Sequence, residues 1–457
     1  MAKMDKKRAA LHNLGCKVNA YEMEKMAGKL ISDGFVIVPF EEEADYYIVN
    51  TCSVTNIADR KSRQMLHRAK TANPNAVVIA AGCYVDTRGK EELYADNVDI
   101  AVPNSEKEHI TEIIRAWEEA HAESGQATAE KPAAGSVVAE DFPFSGNTDS
   151  FSRGRGQSEH KPGEGGYSRK FLKVQDGCNM FCSYCIIPYA RGRIKSRSIK
   201  EVTEEAEAFI SRGFREFVLT GIHLSSYGKD RPGDKEDLLS LITALDALPE
   251  VKRIRLGSLE PGIITDDFVT GLRIIPSLCP HFHLSLQSGS DSVLKRMNRH
   301  YTADSYAESV ERLRSCFDDP ALTTDVIVGF PGETEKEFEE TLEFLKKTGF
   351  YETHIFPFSG RKGTPAERME GQIKRSVKHE RLRILKELDL INRKAYEDRH
   401  RGKEAEVLFE EDGTGYTREY IRVKNDGDAP YSGRIMTGII GDRREDGLMG
   451  FSADKAD

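Results

Sequence analysis

Residues 178–185, "CNMFCSYC", decide how the rest of this sequence is interpreted. They contain Cys178, Cys182 and Cys185, which are separated by four and then three positions, and no fourth cysteine is close to them in the sequence. Thiolates hold iron–sulfur clusters, and a cubane cluster commonly takes four of them. A protein that supplies only three leaves one iron with an open coordination position. The spacing therefore indicates a cluster whose open iron can bind a small molecule.

A zinc site is the alternative interpretation of these three cysteines, which we call the radical triad. A structural zinc ion usually has four nitrogen or sulfur ligands. Either His223 or His283 could supply the fourth ligand from a neighbouring strand end. The spacing alone leaves this alternative open.

Length and composition limit the class of protein. The 457 residues exceed the size of a single hydrophobic core, so two or three domains are expected. Mean hydropathy is -0.52, and neither a leader peptide nor a run of ~18 apolar residues is present, which predicts a cytoplasmic protein. The eight cysteines then suit metal ligands or reactive thiols better than disulfides. The net charge of -9 argues against a broad nucleic-acid-binding face but not against a local basic track.

Residues 1–120 alternate short apolar segments with helical patterns, which predicts an open parallel sheet covered by helices. Cys16, Cys52 and Cys83, which we call the auxiliary triad, each follow a predicted strand. The carboxyl ends of parallel strands meet at one edge of a sheet, so we expect these thiols to lie together. Each could instead be an ordinary buried cysteine, but three equivalent positions favour a site. The segments are "AALHNLGC", "YEMEKMAGKLISDGF", "DYYIVNTC", "DRKSRQMLHRAKTA" and "AVVIAAGC".

Residues 121–168 are rich in Gly, Ser, Ala and Pro and predict a flexible linker. Residues 169–400 resume the alternation and predict a partial (βα)6 barrel, whose working face is the carboxyl ends of its strands. The radical triad follows the first of these strands. Thr334 and Glu337 predict a capping box at the start of one helix. The six strand candidates are "KFLKVQ", "EFVLTG", "RIRLGSLE", "HFHLSLQ", "TTDVIVGF" and "THIFPF".

Residues 401–457 change to short β-like segments between Gly-rich and Asp-rich turns, which predicts a small β domain. The segments are "EAEVLFE", "YIRVKN" and "GRIMTGIIGD". This region is acidic, because it contains nine Lys plus Arg and thirteen Asp plus Glu.

Several dispersed motifs, in order along the chain, carry a resemblance. The pattern Cys-x-x-x-Cys-x-aromatic-Cys, with Tyr184 as the aromatic residue, resembles the signature of radical S-adenosylmethionine (SAM) enzymes. "LGCKVNAYE", "NTCSVTN" and "AGCY" look like the N-terminal motifs of the methylthiotransferases within that superfamily. "IIPYARGRIKSR", "LTGIHLSSYG", "LSLQSGSDSVLKRMNRHYT" and "DVIVGFPGETEKEFEET" are similar to their radical-domain motifs. The resemblance covers nearly the whole chain apart from the linker, and the last 57 residues resemble the RNA-holding TRAM β-barrel.

The resemblance implies two 4Fe–4S clusters and SAM as cofactors. SAM would bind the open iron of the radical-triad cluster and be cleaved to a 5′-deoxyadenosyl radical, chemistry that belongs to the cofactor. The auxiliary triad would hold a second cluster that carries the transferred sulfur. All six cysteines are therefore expected to be catalytic, whereas Cys279 and Cys316 are expected to be core or incidental residues.

The resemblance also implies a set of SAM-binding residues at the strand ends. Backbone groups at two of them would meet the methionyl ammonium, polar side chains would meet the ribose or amino acid part, and a glycine would admit the adenine. Each could instead be an ordinary turn residue. The set is Tyr184, Thr220, Gly221, Ser258, Glu260, Gln287 and Gly329.

A basic stretch follows the radical triad and contains Arg191, Arg193, Lys195 and Arg197. Its position suits contacts with RNA phosphates, although a solvated loop would have the same composition. The expected partners are a tRNA anticodon stem-loop and an electron donor such as flavodoxin or ferredoxin.

Three substrates are open within the resembled family. "LGCKVN", "NTCSVTN" and "IIPYARG" look most like the enzymes that act at C2 of N6-threonylcarbamoyladenosine at position 37 of tRNA. The alternatives are isopentenyladenosine at the same position and an aspartate of a ribosomal protein. The basic stretch favours tRNA and the acidic C-terminal region favours the protein. A non-catalytic iron–sulfur RNA-binding protein is the alternative from another class.

Overall fold

The computed structural model describes residues 6–123, 137–138, 168–427 and 431–453. These ranges form an open sheet of six strands, two sheets of three parallel strands each, and a closed barrel of five strands. The α/β fold class expected from the sequence, with its three folded parts, is confirmed. No helix within these ranges is both long enough and apolar enough to span a membrane.

The N-terminal part is an α/β sheet whose neighbouring strands are all parallel. Its elements are β1 (Arg8–Asn13), α1 (Lys17–Ser32), β2 (Val36–Val38), β3 (Tyr46–Thr51), α2 (Asn56–Ala72), β4 (Val77–Gly82), α3 (Cys83–Asp86), α4 (Lys90–Ala95), β5 (Ile100–Val102), α5 (Ile110–Glu123) and β6 (Val137–Val138). The strand order is β2-β1-β3-β4-β5-β6. The central strand β3 is buried along its whole length, because α1 and α5 cover one face of the sheet and α2 and α4 cover the other.

The predicted linker lies mostly outside the described residues. Within it, β6 pairs with β5 through Ile100 and Val137, so a short part of this stretch extends the sheet.

The central part has six parallel strands in two groups of three, and a separate antiparallel pair formed by its two shortest strands. Its elements are β7 (Lys170–Lys173), β8 (Gln175–Asp176), α6 (Ile187–Arg191), β9 (Lys195–Ser196), α7 (Ile199–Ile210), β10 (Glu216–Thr220), α8 (Leu238–Asp246), β11 (Arg253–Leu256), α9 (Asp266–Arg273), β12 (His281–His283), α10 (Asp291–Arg296), α11 (Ala303–Cys316), β13 (Ala321–Val328), α12 (Glu335–Thr348), β14 (Glu352–Pro357) and α13 (Arg375–His400). Parallel bridges from Ile254 to Leu278 and from Leu259 to Leu284 join the groups β7-β10-β11 and β12-β13-β14. All six strand candidates are confirmed.

Helix α12 shows why the sequence forms these crossover helices. Thr334 and Glu337 make the predicted capping box, which satisfies backbone N–H groups at the helix start. Phe338 and Leu345 are buried against the strands. Gly349 ends the helix in a left-handed conformation with φ of +61°.

The C-terminal part is a closed five-stranded barrel. It comprises β15 (Glu404–Phe409), β16 (Thr414–Thr417), β17 (Arg422–Asn425), β18 (Ile435–Arg443) and β19 (Met449–Ala453), in the order β15-β16-β17-β19-β18. Its apolar core continues into Tyr351 and Tyr396 of the central part. Arg255 on β11 also donates hydrogen bonds to the carbonyl oxygens of Thr417 and Arg418, at 2.5 and 2.7 Å. The small barrel is therefore fixed against the base of the central one.

Candidate active site: two cysteine triads

The auxiliary triad lies at the carboxyl edge of the N-terminal sheet. Cys16 immediately precedes α1, Cys52 follows β3 and Cys83 is the first residue of α3, directly after β4. Since β3 lies between β1 and β4, the three segments are neighbours. Gly15 has φ of +101°, and a Cβ atom there would lie 2.8 Å from Cys52 Sγ. The backbone before Cys16 therefore passes directly against Cys52, as the sequence predicted for converging strand ends.

Two asparagines line the auxiliary triad. Asn104 donates a hydrogen bond to Cys83 Sγ at 3.5 Å and another to the carbonyl oxygen of Ala190 at 3.3 Å. Cys16 Sγ lies 4.0 Å from Asn19 Oδ1. The Cys52 and Cys83 thiols are buried whereas Cys16 is exposed, so the triad has one open side.

The radical triad occupies the loop between β8 and α6. Cys178 and Cys182 are buried and Cys185 is partly buried. Arg299 donates a hydrogen bond to Cys182 Sγ at 3.1 Å and pairs with Glu260 at 2.6 Å. This guanidinium places a fixed positive charge beside Cys182, where the thiolates of a bound cluster would bring negative charge.

Both triads behave electrostatically as groups of neighbouring thiols. Burial raises the pKa of the Cys52 thiol to about 11, and the nearby Cys83 and Cys16 thiols add to this rise. Burial likewise raises the pKa of the Cys185 thiol to about 12, with contributions from the other two members of the radical triad. The Cys52 and Cys185 thiols are thus protonated at neutral pH in the metal-free protein, and cluster binding must release their protons.

The thiols of each triad are not close enough together to hold a single tetrahedral ion. In a tetrahedral zinc site with Zn–S bonds of ≈ 2.3 Å the sulfur atoms are about 3.8 Å apart. Among the described residues, only His283, Asp325 and His354 form a group of three or more potential ligands whose ligand atoms all lie within 4.8 Å of one another. Neither triad meets this limit, alone or with a histidine. The zinc alternative is therefore disfavoured, since thiolates bound to different irons stand farther apart.

A buried arginine connects the two triads. Arg191 ends α6, the helix that follows Cys185, and its side chain is 1% exposed. Its guanidinium donates hydrogen bonds to Glu22 at 2.8 Å and to Asn19 at 2.7 Å, both on α1. It also pairs with Asp176 at 3.1 Å. The radical-triad loop and the auxiliary triad are consequently held in a fixed relation.

Comparison with known proteins identifies the two regions that carry the triads. The model of the "Radical SAM superfamily" matches residues 172–345, and that of "Uncharacterized protein family UPF0004" matches residues 8–103. The "Threonylcarbamoyladenosine tRNA methylthiotransferase MtaB" of Bacillus subtilis is 38% identical over 437 residues, which cover 93% of this chain and 92% of that protein. The chain belongs to the family of radical SAM tRNA methylthiotransferases.

The relatives also include enzymes named for methylthiolation of dimethylallyladenosine. The "tRNA-2-methylthio-N(6)-dimethylallyladenosine synthase" of Clostridium botulinum strain Loch Maree is 34% identical over 462 residues, covering 95% of this chain and 91% of that protein. Among solved structures, the cobalamin- and [4Fe-4S]-bound radical SAM methyltransferase TsrM of Kitasatospora setae superposes with a TM-score of 0.57. It covers 79% of this chain and 77% of its own at 15% identity, which is a likeness of fold alone.

As a radical SAM methylthiotransferase, the protein uses SAM and 4Fe–4S clusters, and the predicted SAM residues lie at strand ends near the radical triad. Thr220 ends β10, and its carbonyl oxygen accepts a hydrogen bond from the backbone of Val174 at 2.9 Å. Gly221 follows and lies against the Gln175 side chain. Ser258 and Glu260 follow β11. Glu260 pairs with Arg299, which donates a hydrogen bond to Cys182 Sγ.

The remaining predicted SAM residues lie across the barrel mouth. Gln287 follows β12 with φ of +68°, and Gly329 follows β13 beside the side chain of Lys378. The Tyr184 ring meets Phe330 edge-on at 6.5 Å. The structure thus places all seven residues at the carboxyl face, and their contacts with SAM remain a prediction.

The four predicted RNA-contacting residues separate into two groups. Arg193 and Lys195 are exposed, and the Arg193 guanidinium lies 4.7 Å from the centre of the Phe181 ring. Arg191 and Arg197 are buried instead, with side chains 1% and 7% exposed in ion pairs. A guanidinium held inside the protein does not reach a phosphate, so this placement does not support the prediction for these two arginines.

Sequence reasoning missed Arg299, Asn19 and Asn104. Arg299 is separated by 117 positions from Cys182, and Asn104 by 21 positions from Cys83. The only signal was that Arg299 and Asn19 lie within motifs that carry the family resemblance, "MNRHYT" and "LGCKVNAYE".

Proposed function

We propose that this protein transfers a methylthio group to C2 of N6-threonylcarbamoyladenosine at position 37 of tRNA. The observation that carries the proposal is the similarity, over more than nine-tenths of the relative's length, to a protein named for this reaction. Two separate cysteine triads agree with a reaction that needs both a radical and a sulfur donor. tRNA is a cytoplasmic molecule, so the same proposal places the protein in the cytoplasm.

The cysteine triads have different tasks in this proposal. Cys178, Cys182 and Cys185 hold the cluster that binds SAM, and the auxiliary triad holds the second cluster. When bound, these groups supply radical hydrogen abstraction and a methylated sulfur for transfer. Arg299 keeps the negatively charged thiolates neutralised, while Glu260 orients its guanidinium. Such chemistry requires an electron donor, for which we propose a protein such as flavodoxin or ferredoxin.

The positive charge of Arg191 also suits an anionic cluster at the auxiliary triad. Arg191 pairs with Glu22 and Asp176, which Lys107 and Lys173 also contact, and the charges of Lys107 and Arg191 act on the buried Asp86 carboxyl as well. The Arg191 charge lies within electrostatic reach of the Cys83 thiol. It would therefore stabilise a thiolate-bound cluster there.

The predicted SAM set, Tyr184, Thr220, Gly221, Ser258, Glu260, Gln287 and Gly329, is proposed to line the cofactor at the carboxyl face. For tRNA we propose Arg193 and Lys195 as phosphate contacts, because both are exposed beside the radical-triad loop. Phosphate contacts of this kind orient a nucleic acid without reading its sequence.

The test is nucleoside mass spectrometry of total tRNA from a host that lacks this modification, with and without the protein. The expected result is the appearance of 2-methylthio-N6-threonylcarbamoyladenosine only when the protein is expressed. The protein carrying Cys178→Ala, Cys182→Ala and Cys185→Ala serves as the inactive control. Methylthiolation of isopentenyladenosine instead would move the protein to the other tRNA branch. Unchanged tRNA would contradict the proposal and favour a ribosomal-protein substrate or a non-catalytic role.

A further inference from the structure

Three neighbouring strands present polar side chains to the interior of the central barrel. Successive residues of a strand point to opposite faces. Phe282 on β12 and Val326 on β13 belong to the apolar core between strands and helices, and Ile355 on β14 packs against it. Residues that alternate with them therefore face inward, and these include His283, Asp325, Thr323 and His354.

The inward-facing groups form a compact cluster. His283 Nε2 lies 3.2 Å from Asp325 Oδ2, and its Nδ1 lies 3.0 Å from Thr323 Oγ1. The rings of His283 and His354 are stacked with their centres 5.7 Å apart. Within the described part of the chain, Asp325 Oδ1 and both ring nitrogens of His354 have no hydrogen-bond partner. The cluster thus offers several unused polar atoms to the barrel interior.

A lysine from the N-terminal part lies within electrostatic reach of the cluster. Lys17 is the first residue of α1, directly after Cys16 of the auxiliary triad. Its charge interacts with those of Asp325, Arg169 and Arg255. The side chain is exposed and, among the described residues, has neither an ion pair nor a hydrogen bond. Its ammonium group is therefore available to an anion that binds beside Asp325.

The charge balance of this space favours an anion over a metal ion. Arg255 and Arg253 share one carboxylate, Glu216, at 2.7 and 3.4 Å, and Arg169 pairs with Glu410 at 3.5 Å. The three guanidiniums and the Lys17 ammonium outnumber Glu216, Glu410 and Asp325 by one. A divalent cation at His283 and Asp325 would be repelled by this excess, whereas a carboxylate would be attracted.

An aromatic surface lies beside the cluster. Phe356 shares the inward face of β14 with His354, is two residues nearer the carboxyl end, and is 44% exposed. Exposed aromatic rings of this kind stack nucleic-acid bases. A base on Phe356 would lie between the polar cluster and the strand ends where the triads sit.

We propose that Lys17, His283, Asp325 and His354 form a subsite for a carboxylate-bearing substituent on N6 of the substrate adenine, and that Phe356 stacks the base. This inference rests on the proposed function. C2 and C6 flank N1 in the adenine ring, so a base with C2 at the clusters directs its N6 substituent away from them, into the barrel. Lys17 pairs with the threonyl carboxylate, and Asp325 and His354 meet the hydroxyl and carbamoyl groups.

The test measures binding of synthetic anticodon stem-loop RNAs to the holoenzyme with SAM. One RNA carries N6-threonylcarbamoyladenosine, the second carries its carboxylate methyl ester, and the third carries unmodified adenosine. The wild-type protein should bind the acid about tenfold more tightly than the ester, because a charged hydrogen bond is lost. Lys17→Met should abolish this difference and leave binding of the unmodified RNA unchanged. His354→Phe should weaken both threonylcarbamoyl forms and spare the unmodified RNA.

Lys61→Met, which removes an exposed lysine on α2, is the matched control and should behave as wild type. Because Lys17 adjoins Cys16, the iron content of each variant is measured as well, and His354→Phe keeps the test decisive if Lys17→Met loses iron. Two results together would overturn the subsite and leave the proposed function intact. Lys17→Met with a normal iron content would still bind the acid RNA more tightly than the ester RNA, and His354→Phe would bind both threonylcarbamoyl RNAs as tightly as wild type does. If the wild-type protein contains one equivalent of zinc or of additional iron that His354→Phe lacks, the cluster is a metal site and not a carboxylate subsite. The proposed function itself fails only if wild-type enzyme leaves threonylcarbamoyladenosine tRNA unmodified.

Discussion

Arg191 Nη2 donates a hydrogen bond to Asn19 Oδ1 at 2.7 Å, and this contact joins the surroundings of the two triads. Asn19 lies on α1, three residues after Cys16, and its amide nitrogen donates to the carbonyl oxygen of Thr51 at 2.9 Å, beside Cys52. Arg191 lies in the helix that follows the radical triad. A change at this contact therefore acts on both cluster sites.

Glu22 is the residue on which the surrounding charge network depends most. Burial alone would raise the pKa of Glu22, but Lys107, Lys173 and Arg191 together hold it well below its usual value. Glu22→Gln leaves three buried cations facing only two carboxyl groups, Asp176 and Asp86, so we expect a loss of about 3–5 kcal/mol in the free energy of unfolding. Because the folded-state pKa is lowered, the wild-type contribution is present above about pH 4.3 and is lost as the pH falls.

Arg191→Met tests the same network by removing a cation instead of a carboxylate. It removes hydrogen bonds to Glu22, Asn19 and Asp176 but leaves Lys107 and Lys173 to pair with the two carboxylates, so we expect a smaller cost of about 1–3 kcal/mol. Arg193→Met is the matched control, since it removes an exposed arginine two residues away and should change stability by less than about 0.5 kcal/mol. Denaturant unfolding of the three proteins measures these values. Equal stabilities for Glu22→Gln and Arg193→Met would contradict the network.

Iron analysis tests whether the triads hold two independent clusters. Replacing all three radical-triad cysteines by alanine should halve the iron and sulfide of anaerobically reconstituted protein, because the auxiliary triad remains intact. Cys316→Ala, at the end of α11, removes a cysteine outside both triads and should leave the iron unchanged. Loss of all iron, or of none, in the triple variant would show that the triads are not separate sites.

The elements predicted from sequence are those with strong local patterns. β3 and β13 have apolar runs long enough to identify, and Thr334 with Glu337 marks a helix start. β2, β5 and β6 were missed because strands of two or three residues have no measurable period. The acidic, Gly-rich sequence likewise hid β16 and β19 of the small barrel.

The site was predictable as a set of cysteines but not in its charged surroundings. Strand-end cysteines follow from topology, since parallel strands bring their carboxyl ends together. Arg191 finds its partner Glu22 across 169 positions, and no local pattern encodes such a pair. A basic stretch therefore indicated RNA contacts for Arg191 and Arg197, whereas both are used inside the protein.

Alanine substitutions at two glycines of the N-terminal part distinguish the effect of backbone strain from that of steric contact with the auxiliary triad. Gly15 and Gly34 both have positive φ, of +101° and +91°. A Cβ at Gly34 meets nothing within 4 Å, whereas one at Gly15 lies 2.8 Å from Cys52 Sγ. Gly34→Ala should therefore cost about 1–2 kcal/mol of stability through strain and retain all its iron. Gly15→Ala should have the same strain and should also lose the iron of the auxiliary cluster, because the added Cβ displaces Cys52. A full iron content in Gly15→Ala would mean that Cys52 can shift without losing the cluster.

Cys52→Ala separates SAM cleavage from sulfur transfer. Cys52 occupies the central position of the auxiliary triad, since β3 lies between β1 and β4. The radical triad and Arg299 are untouched by this change, so reductive cleavage of SAM should persist, whereas methylthiolated tRNA should be absent. Chromatographic measurement of 5′-deoxyadenosine together with nucleoside mass spectrometry gives both readouts. The radical-triad alanine variant should lose both activities. Methylthiolated product from Cys52→Ala would remove the auxiliary triad from sulfur delivery, and loss of 5′-deoxyadenosine would mean that the two sites act as one through the Arg191 contact.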